Sequence, residues 1–157
     1  MSDLSVPTLP LRVTLSLTSG ATLDGDVFLP AKSPVRDGPM LASEWASLAP
    51  AFIPLRLADG GQVTFVATDH IVAIALPPGV PAVPDDELVD APVRRVRVET
   101  VGGASFEGLV TIAMPIYQQR VNDWLNNPEP NVTIEVEGRA YLLRKSRVIR
   151  ITEIHEV

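Results

Sequence analysis

Arg144, Lys145, Arg147 and Arg150 crowd the end of this chain, and Arg94, Arg95 and Arg97 cluster earlier in its second half. If the strands that carry them pair, the guanidinium groups form a stripe whose chemistry is the binding of phosphate or carboxylate. Two features weigh against a nucleic-acid surface. Stacking bases need aromatic side chains, and only Tyr141 is near. Acids stand among the cations, and Glu135, Glu137 and Glu153 are expected to balance them across the strands. The expectation is therefore a solvated sheet face, with Arg144 and Arg147 as candidate contacts for a partner.

A second polar group is the run "RVNDWLNN" at 120–127. Arg120, Asp123 and Asn126 could together meet a ligand or a protein. The same residues also read as the start and stop of a short helix. Asn122, and Ser43 at the matching place earlier in the chain, suit an N-cap, where a side-chain oxygen accepts an orphan backbone N–H. Asp123 and Glu44 follow, and a first-turn acid favours the helix dipole. Tyr117, Val121 and Trp124 share one helical face, as do Leu41, Trp45 and Leu48. Pro128 and Pro50 then stop the helix. Trp45 and Trp124 are thus expected to be buried structural anchors.

Catalysis and metal binding find little support. Metal sites need convergent His, Cys or carboxylate ligands. The chain has two histidines, His70 and His155, and no cysteine, at no ligand spacing. No nucleophile elbow, phosphate loop or zinc-protease motif is present. Asp24 and Asp26 fall on one strand face and could serve carboxylate chemistry, but a surface role is the simpler expectation. No catalytic residue, metal ligand or cofactor is therefore assigned.

The elements that must position these residues come from the remaining pattern. The 157 residues are 46% hydrophobic but only 5% aromatic, so Val, Leu, Ile and Ala must build the core. No apolar run is long enough to span a membrane, and residues 1–10 lack the pattern of a signal peptide. A cytoplasmic protein is expected. Residues 1–76 carry four cations and seven acids, a balance of −3. Residues 77–92 carry four acids, no cation and five prolines, the composition of an extended, solvated linker. Residues 93–157 carry nine cations and eight acids, a balance of +1. An acidic whole, −6 in all, disfavours a phosphate-backbone binder.

The linker separates two similar units, 1–76 and 93–157. "RVTLSLTSGATLDGDVFLP" (12–30) overlays "RVRVETVGGASFEGLVTIA" (95–113) without a gap, "SEW" (43–45) matches "NDW" (122–124), and "FVATDHIVAI" (65–74) matches "LLRKSRVIRI" (142–151) in apolar pattern. Each unit reads as alternating strand, glycine turn, second strand, helical turn, and further strands that break near Thr68–Asp69 and Lys145–Ser146. Gly25 and Gly108 interrupt the second strands and imply a bulge or bend. The fold expected is mainly β: two tandem, small, bent sheets or partly open barrels, each with one short helix, packed about a pseudo-two-fold axis.

The run Arg120, Val121, Asn122, Asp123, Trp124, Leu125, Asn126 after glycine-turned strands resembles a family of small uncharacterised bacterial domains. In the first unit Leu41 replaces the arginine and Ala46 the leucine. The resemblance implies a small β-rich domain and carries no catalytic residues. A further, architectural likeness is to Sm-like RNA-binding barrels, through Gly103, Gly108, the Asp/Asn cluster at 122–126 and "LLRKSRVIRI". That likeness implies a nucleic-acid-binding role for the C-terminal arginines. The first expectation is a non-enzymatic binding or scaffold module that contacts protein or itself. An Sm-like nucleic-acid binder is the alternative, and a carboxylate enzyme comes third.

Overall fold

The computed structural model describes residues 7–35, 37–83, 91–112 and 120–154. Tyr117, His155 and linker residues 84–90 lie outside them. The first half runs β1 (Thr8–Leu17), β2 (Thr22–Pro30), α1 (Ala42–Ser47), β3 (Phe52–Leu57), β4 (Val63–Ala67), a 3-10 turn (Thr68–His70) and β5 (Ile71–Ala75). The second runs β6 (Val93–Thr100), β7 (Ser105–Thr111), α2 (Val121–Leu125), β8 (Asn131–Val136), β9 (Arg139–Arg144), a 3-10 turn (Lys145–Arg147) and β10 (Val148–Glu153). The protein is mainly β, as expected, and the long final stretches break at the two places expected.

The ten strands among the described residues join one open antiparallel sheet in the order β10-β6-β7-β8-β9-β5-β1-β2-β3-β4. Within each half the last strand returns to pair with the first, β5 on β1 and β10 on β6. The same hydrogen bond secures each return: Thr18 N donates to His70 O, and Val101 N donates to Arg147 O, both at 2.9 Å. Each returning strand also slips by one residue against its partner. The extra residue is Val72 in β5 and Ile149 in β10.

Alternation builds the cores. Val13 and Leu15 of β1 are buried, as are Val96 and Val98 of β6, while their polar neighbours face out. Val27, Ile53 and Leu55 complete the first cluster, and Val110, Val132 and Ile134 the second. Gly25 and Gly108 sit where the second strand crosses the third. A Cβ on Gly25 would lie 2.4 Å from Arg56 O, and one on Gly108 would lie 2.1 Å from Glu135 O. The glycines therefore serve close backbone approach, since neither site has room for a methyl group.

The halves meet through β5 and β9, with Ala73 opposite Leu143, Ile74 opposite Leu142 and Ala75 opposite Tyr141. Side chains cross the seam. Val72 and Ala73 enter the second half's cluster, and Leu142 enters the first half's. This seam departs from the pseudo-two-fold relation expected from the sequence. A two-fold joins like strands to like, but here the last strand of one half pairs with the fourth strand of the other. Each half is ordered fifth-first-second-third-fourth, so its two edges are unlike strands, and joining them head to tail keeps both halves pointing the same way round the sheet.

Two further expectations are corrected. The N-caps are Leu41 and Arg120, not Ser43 and Asn122, because each helix begins earlier than the cap-forming side chains imply. The orphan amides are met differently: Leu41 N donates to Glu44 Oε1 at 3.3 Å, a third-position acid reaching back. Trp124 is buried, but Trp45 is only half-buried against the first cluster.

Candidate interaction surfaces

The two 3-10 turns face one another across the seam. Arg144, at the end of β9, donates through Nη1 to Thr68 O at 3.2 Å and through Nη2 to Asp69 Oδ1 at 3.3 Å. Arg147 Nε donates to Asp69 O at 2.6 Å. Beside them His70 Nδ1 lies 2.9 Å from Thr18 Oγ1. Arg144 and Arg147, predicted as partner contacts, thus clamp the first half's turn. Asp69 and the carbonyl of Thr68, which meet them, carry no local sequence signal, because they lie more than seventy residues away.

The other cations of the stripe are also engaged. Arg150 pairs with Glu99, Arg94 with Glu153 at 3.7 Å, and Glu107 with both Arg95 at 3.3 Å and Arg97 at 3.0 Å. The neutral stripe is as expected, but Glu99 and Glu107 supply the balance with Glu153. Glu135 and Glu137 form no ion pair among the described residues. The hydrogen bond from Arg150 holds Glu99 below the usual carboxylate range, and those from Arg97 and then Arg95 do the same to Glu107. Lys145 Nζ donates to Asn127 O and Oδ1, both at 2.9 Å, and loss of solvent pushes its ammonium pKa down.

On α2 the expected group is assembled but closed on itself. Arg120 grips Asp123 with two bonds, Nε to Oδ2 at 2.9 Å and Nη2 to Oδ1 at 3.3 Å. Asn126 Nδ2 donates to Asn122 O at 2.8 Å and Oδ1 at 3.1 Å. Among the described residues no hydrogen bond or ion pair joins this group to Arg144 or Arg147. Lys145, reaching Asn127 just past α2, is the nearest link between them.

Asp24 and Asp26 do share the outward face of β2. Thr14 donates to Asp24, while Arg12 and Arg56 donate to Asp26 and hold its carboxyl low. Among the described residues no group of three His, Cys, Asp or Glu could hold a metal, and no buried side-chain polar atom lacks a hydrogen-bond partner. A cleft of about 630 Å³ opens between the halves, lined by Ser47 of α1 and Leu48 just after it, by Trp124 and by Glu129 and Glu135. Ser47 Oγ donates to Glu129 Oε2 across it at 3.2 Å. Among the described residues its charged lining is acidic, Glu44, Glu129 and Glu135. No described helix is long and apolar enough to cross a membrane.

The sheet ends on β4 at one side and β10 at the other. β4 reads Val-Thr-Phe-Val-Ala, with no charge and no proline. Val63 and Phe65 on it are exposed, as are Phe52 on neighbouring β3 and Ile149 on β10. Soluble proteins usually guard such edges with lysine, proline or cover. Sequence reasoning passed over these residues, because exposure of an edge follows from sheet order and not from composition. No protein-family model matches this chain, and no curated protein and no solved structure resembles it significantly.

Proposed function

We propose that this chain is a non-enzymatic binding or scaffold module that engages protein by adding strands at the edges of its sheet. The proposal rests on β4, an unguarded edge strand with exposed Phe65 and Val63. An open edge offers a row of unpaired backbone groups, and neighbouring apolar side chains add affinity and choice of partner. The two halves are treated as copies of one duplicated unit, supported by the shared element order, the paired glycines and the matching returns of β5 and β10.

The tagged chain, passed through a lysate of its source cells, is expected to retain protein partners at salt high enough to strip nucleic acid. Phe65→Lys is expected to release them. The nucleic-acid alternative predicts a different outcome: sub-micromolar, salt-sensitive binding of uridine-rich or adenine-rich RNA, lost in Arg144→Glu/Arg147→Glu. Because those arginines are spent on Asp69 and on backbone carbonyls, only weak, non-specific binding at physiological salt is expected.

A further inference from the structure

The cleft between the halves enters an opening in the sheet. Among the described residues β7 and β8 pair only at Leu109 and Glu135. Thr111 and Thr133 would be the next partners on that face, but they do not pair, and each lines the cleft. Another wall is the start of the linker, residues 79–83. It is held by Ala82, which is buried in the first core and whose carbonyl accepts a hydrogen bond from Ser43 N at 3.0 Å. We infer that this cleft is the binding site of a small organic cation, an ammonium group on an apolar body.

Two observations choose the ligand. The first is charge. On the sheet face arginine answers acid: Asp26 meets Arg12 and Arg56, Glu99 meets Arg150, and Glu107 meets Arg95 and Arg97. In the cleft that answer is missing among the described residues. Glu129 accepts from the neutral hydroxyl of Ser47, and Glu135 forms no ion pair. Glu44 belongs to the same lining. The linker that supplies one wall carries four acids and no cation over 77–92. The second observation is uncovered apolar surface. Val35, Leu48 and Leu109 are 78%, 66% and 39% exposed, and all three line this cleft. Exposed apolar side chains gathered in one concavity mark a binding site, where scattered ones do not.

Each simpler ligand leaves one of these features unanswered. A neutral apolar molecule would strip water from Glu129 and Glu135 and leave their charges unpaired. An anion would meet carboxylates of its own sign. A metal ion would leave the apolar side chains in water, and among the described residues no group of three His, Cys, Asp or Glu could hold one. An organic ammonium pairs with the carboxylates through charge-assisted hydrogen bonds while its body covers Val35, Leu48 and Leu109. The cleft's volume of about 630 Å³ lies within the roughly 300–1,000 Å³ of small-ligand pockets, so the occupant is a small molecule. Neither β4 nor β10 contributes to the described lining, so this inference stands or falls apart from strand addition.

The test is a titration of the full chain with three molecules of one shape, 4-phenylbutylamine, 4-phenylbutanol and 4-phenylbutyrate, followed by backbone amide chemical shifts. The amine is expected to shift Ser47, Leu109, Thr133 and Glu135. It is expected to bind about tenfold more tightly than the alcohol, the factor that one charge-assisted hydrogen bond supplies. The carboxylate is expected to bind more weakly than either. Added salt should weaken the amine and leave the alcohol unchanged. Glu129→Gln/Glu135→Gln should remove most of the amine's advantage, whereas Leu109→Thr should weaken amine and alcohol alike. These positions are exposed, and the urea midpoint verifies that each variant folds. Equal binding of amine and alcohol overturns the inference. So does an advantage that survives the double variant, a set of shifts that maps outside the cleft, or an amine that does not bind.

Discussion

The two helices occupy the same place in the two halves and are held by different means. α2 is pinned by Trp124, 8% exposed in the second core, and closed by the Arg120–Asp123 pair. α1 carries Trp45 at the same place, but its ring is only half-buried, its N-cap is Leu41, and its acid Glu44 turns back to Leu41 N and to Ser33. α1 also faces the cleft and touches β8 of the other half, with Ser47 reaching Glu129. The lesson is that a repeated residue does not keep its burial. The second half buries its tryptophan in the core, and the first leaves the same residue only partly buried against its own cluster.

Truncating the tryptophans tests this most strongly. Trp124→Ala is expected to cost roughly 3–5 kcal/mol, as for a large core deletion, and Trp45→Ala clearly less, roughly 1–3 kcal/mol, because part of its ring stays in water. Urea denaturation of both variants checks the ranking, and equal costs would erase the difference between the helices. The glycines should behave alike where the tryptophans do not. Gly25→Ala and Gly108→Ala each force a Cβ against a backbone carbonyl, and a cost near ~3 kcal/mol is expected for both. A cheap substitution at either would mean that the two crossings are not equivalent.

At the seam, Arg144→Ala is expected to cost about 1 kcal/mol and to lose its effect as salt rises, since Asp69 is largely in water. Thermal unfolding at two ionic strengths measures it. Acid should act on both halves. Asp26 in the first half, and Glu99 and Glu107 in the second, are held low chiefly by hydrogen bonds from arginine. A carboxylate with a lowered folded pKa lends stability above its unfolded value and loses it as pH falls through the folded one. The urea midpoint is therefore expected to drop on acidification through and below the ordinary carboxylate range, and Asp26→Asn should flatten part of that fall. The smallest effect is expected at Asn122, which is not the cap. Asn122→Ala removes one exposed side-chain bond to Asn126 and should cost about 0.5 kcal/mol, whereas a full cap would cost about 1 kcal/mol in the same denaturation experiment.

Much of each half was legible in the chain. Alternation at Val13, Leu15, Val96 and Val98 marks half-buried strands, and the breaks at Thr68 and Lys145 fall where the polar residues interrupt the apolar run. The cap positions differ from expectation because Ser43 and Asn122 have the right side chains two residues too late. Propensity is a local preference, and here Glu44 and the Arg120–Asp123 pair secure the first turn instead.

Period, glycine and turn are properties of neighbouring residues, so the sequence by itself determined the strands and the short helices. Which edges meet was decided only in three dimensions. Backbone amides and carbonyls on an edge strand are nearly the same whatever the side chains, so nothing local distinguishes β5 pairing with β9 from β5 pairing with β10. The choice depends on what can be buried across the seam, Val72 on one side and Leu142 on the other, and on Arg144 and Arg147 finding Asp69 and the carbonyls of the opposite turn. That same choice turned the arginine stripe into an internal clamp and left Phe65 and Ile149 in water at the two ends of the sheet.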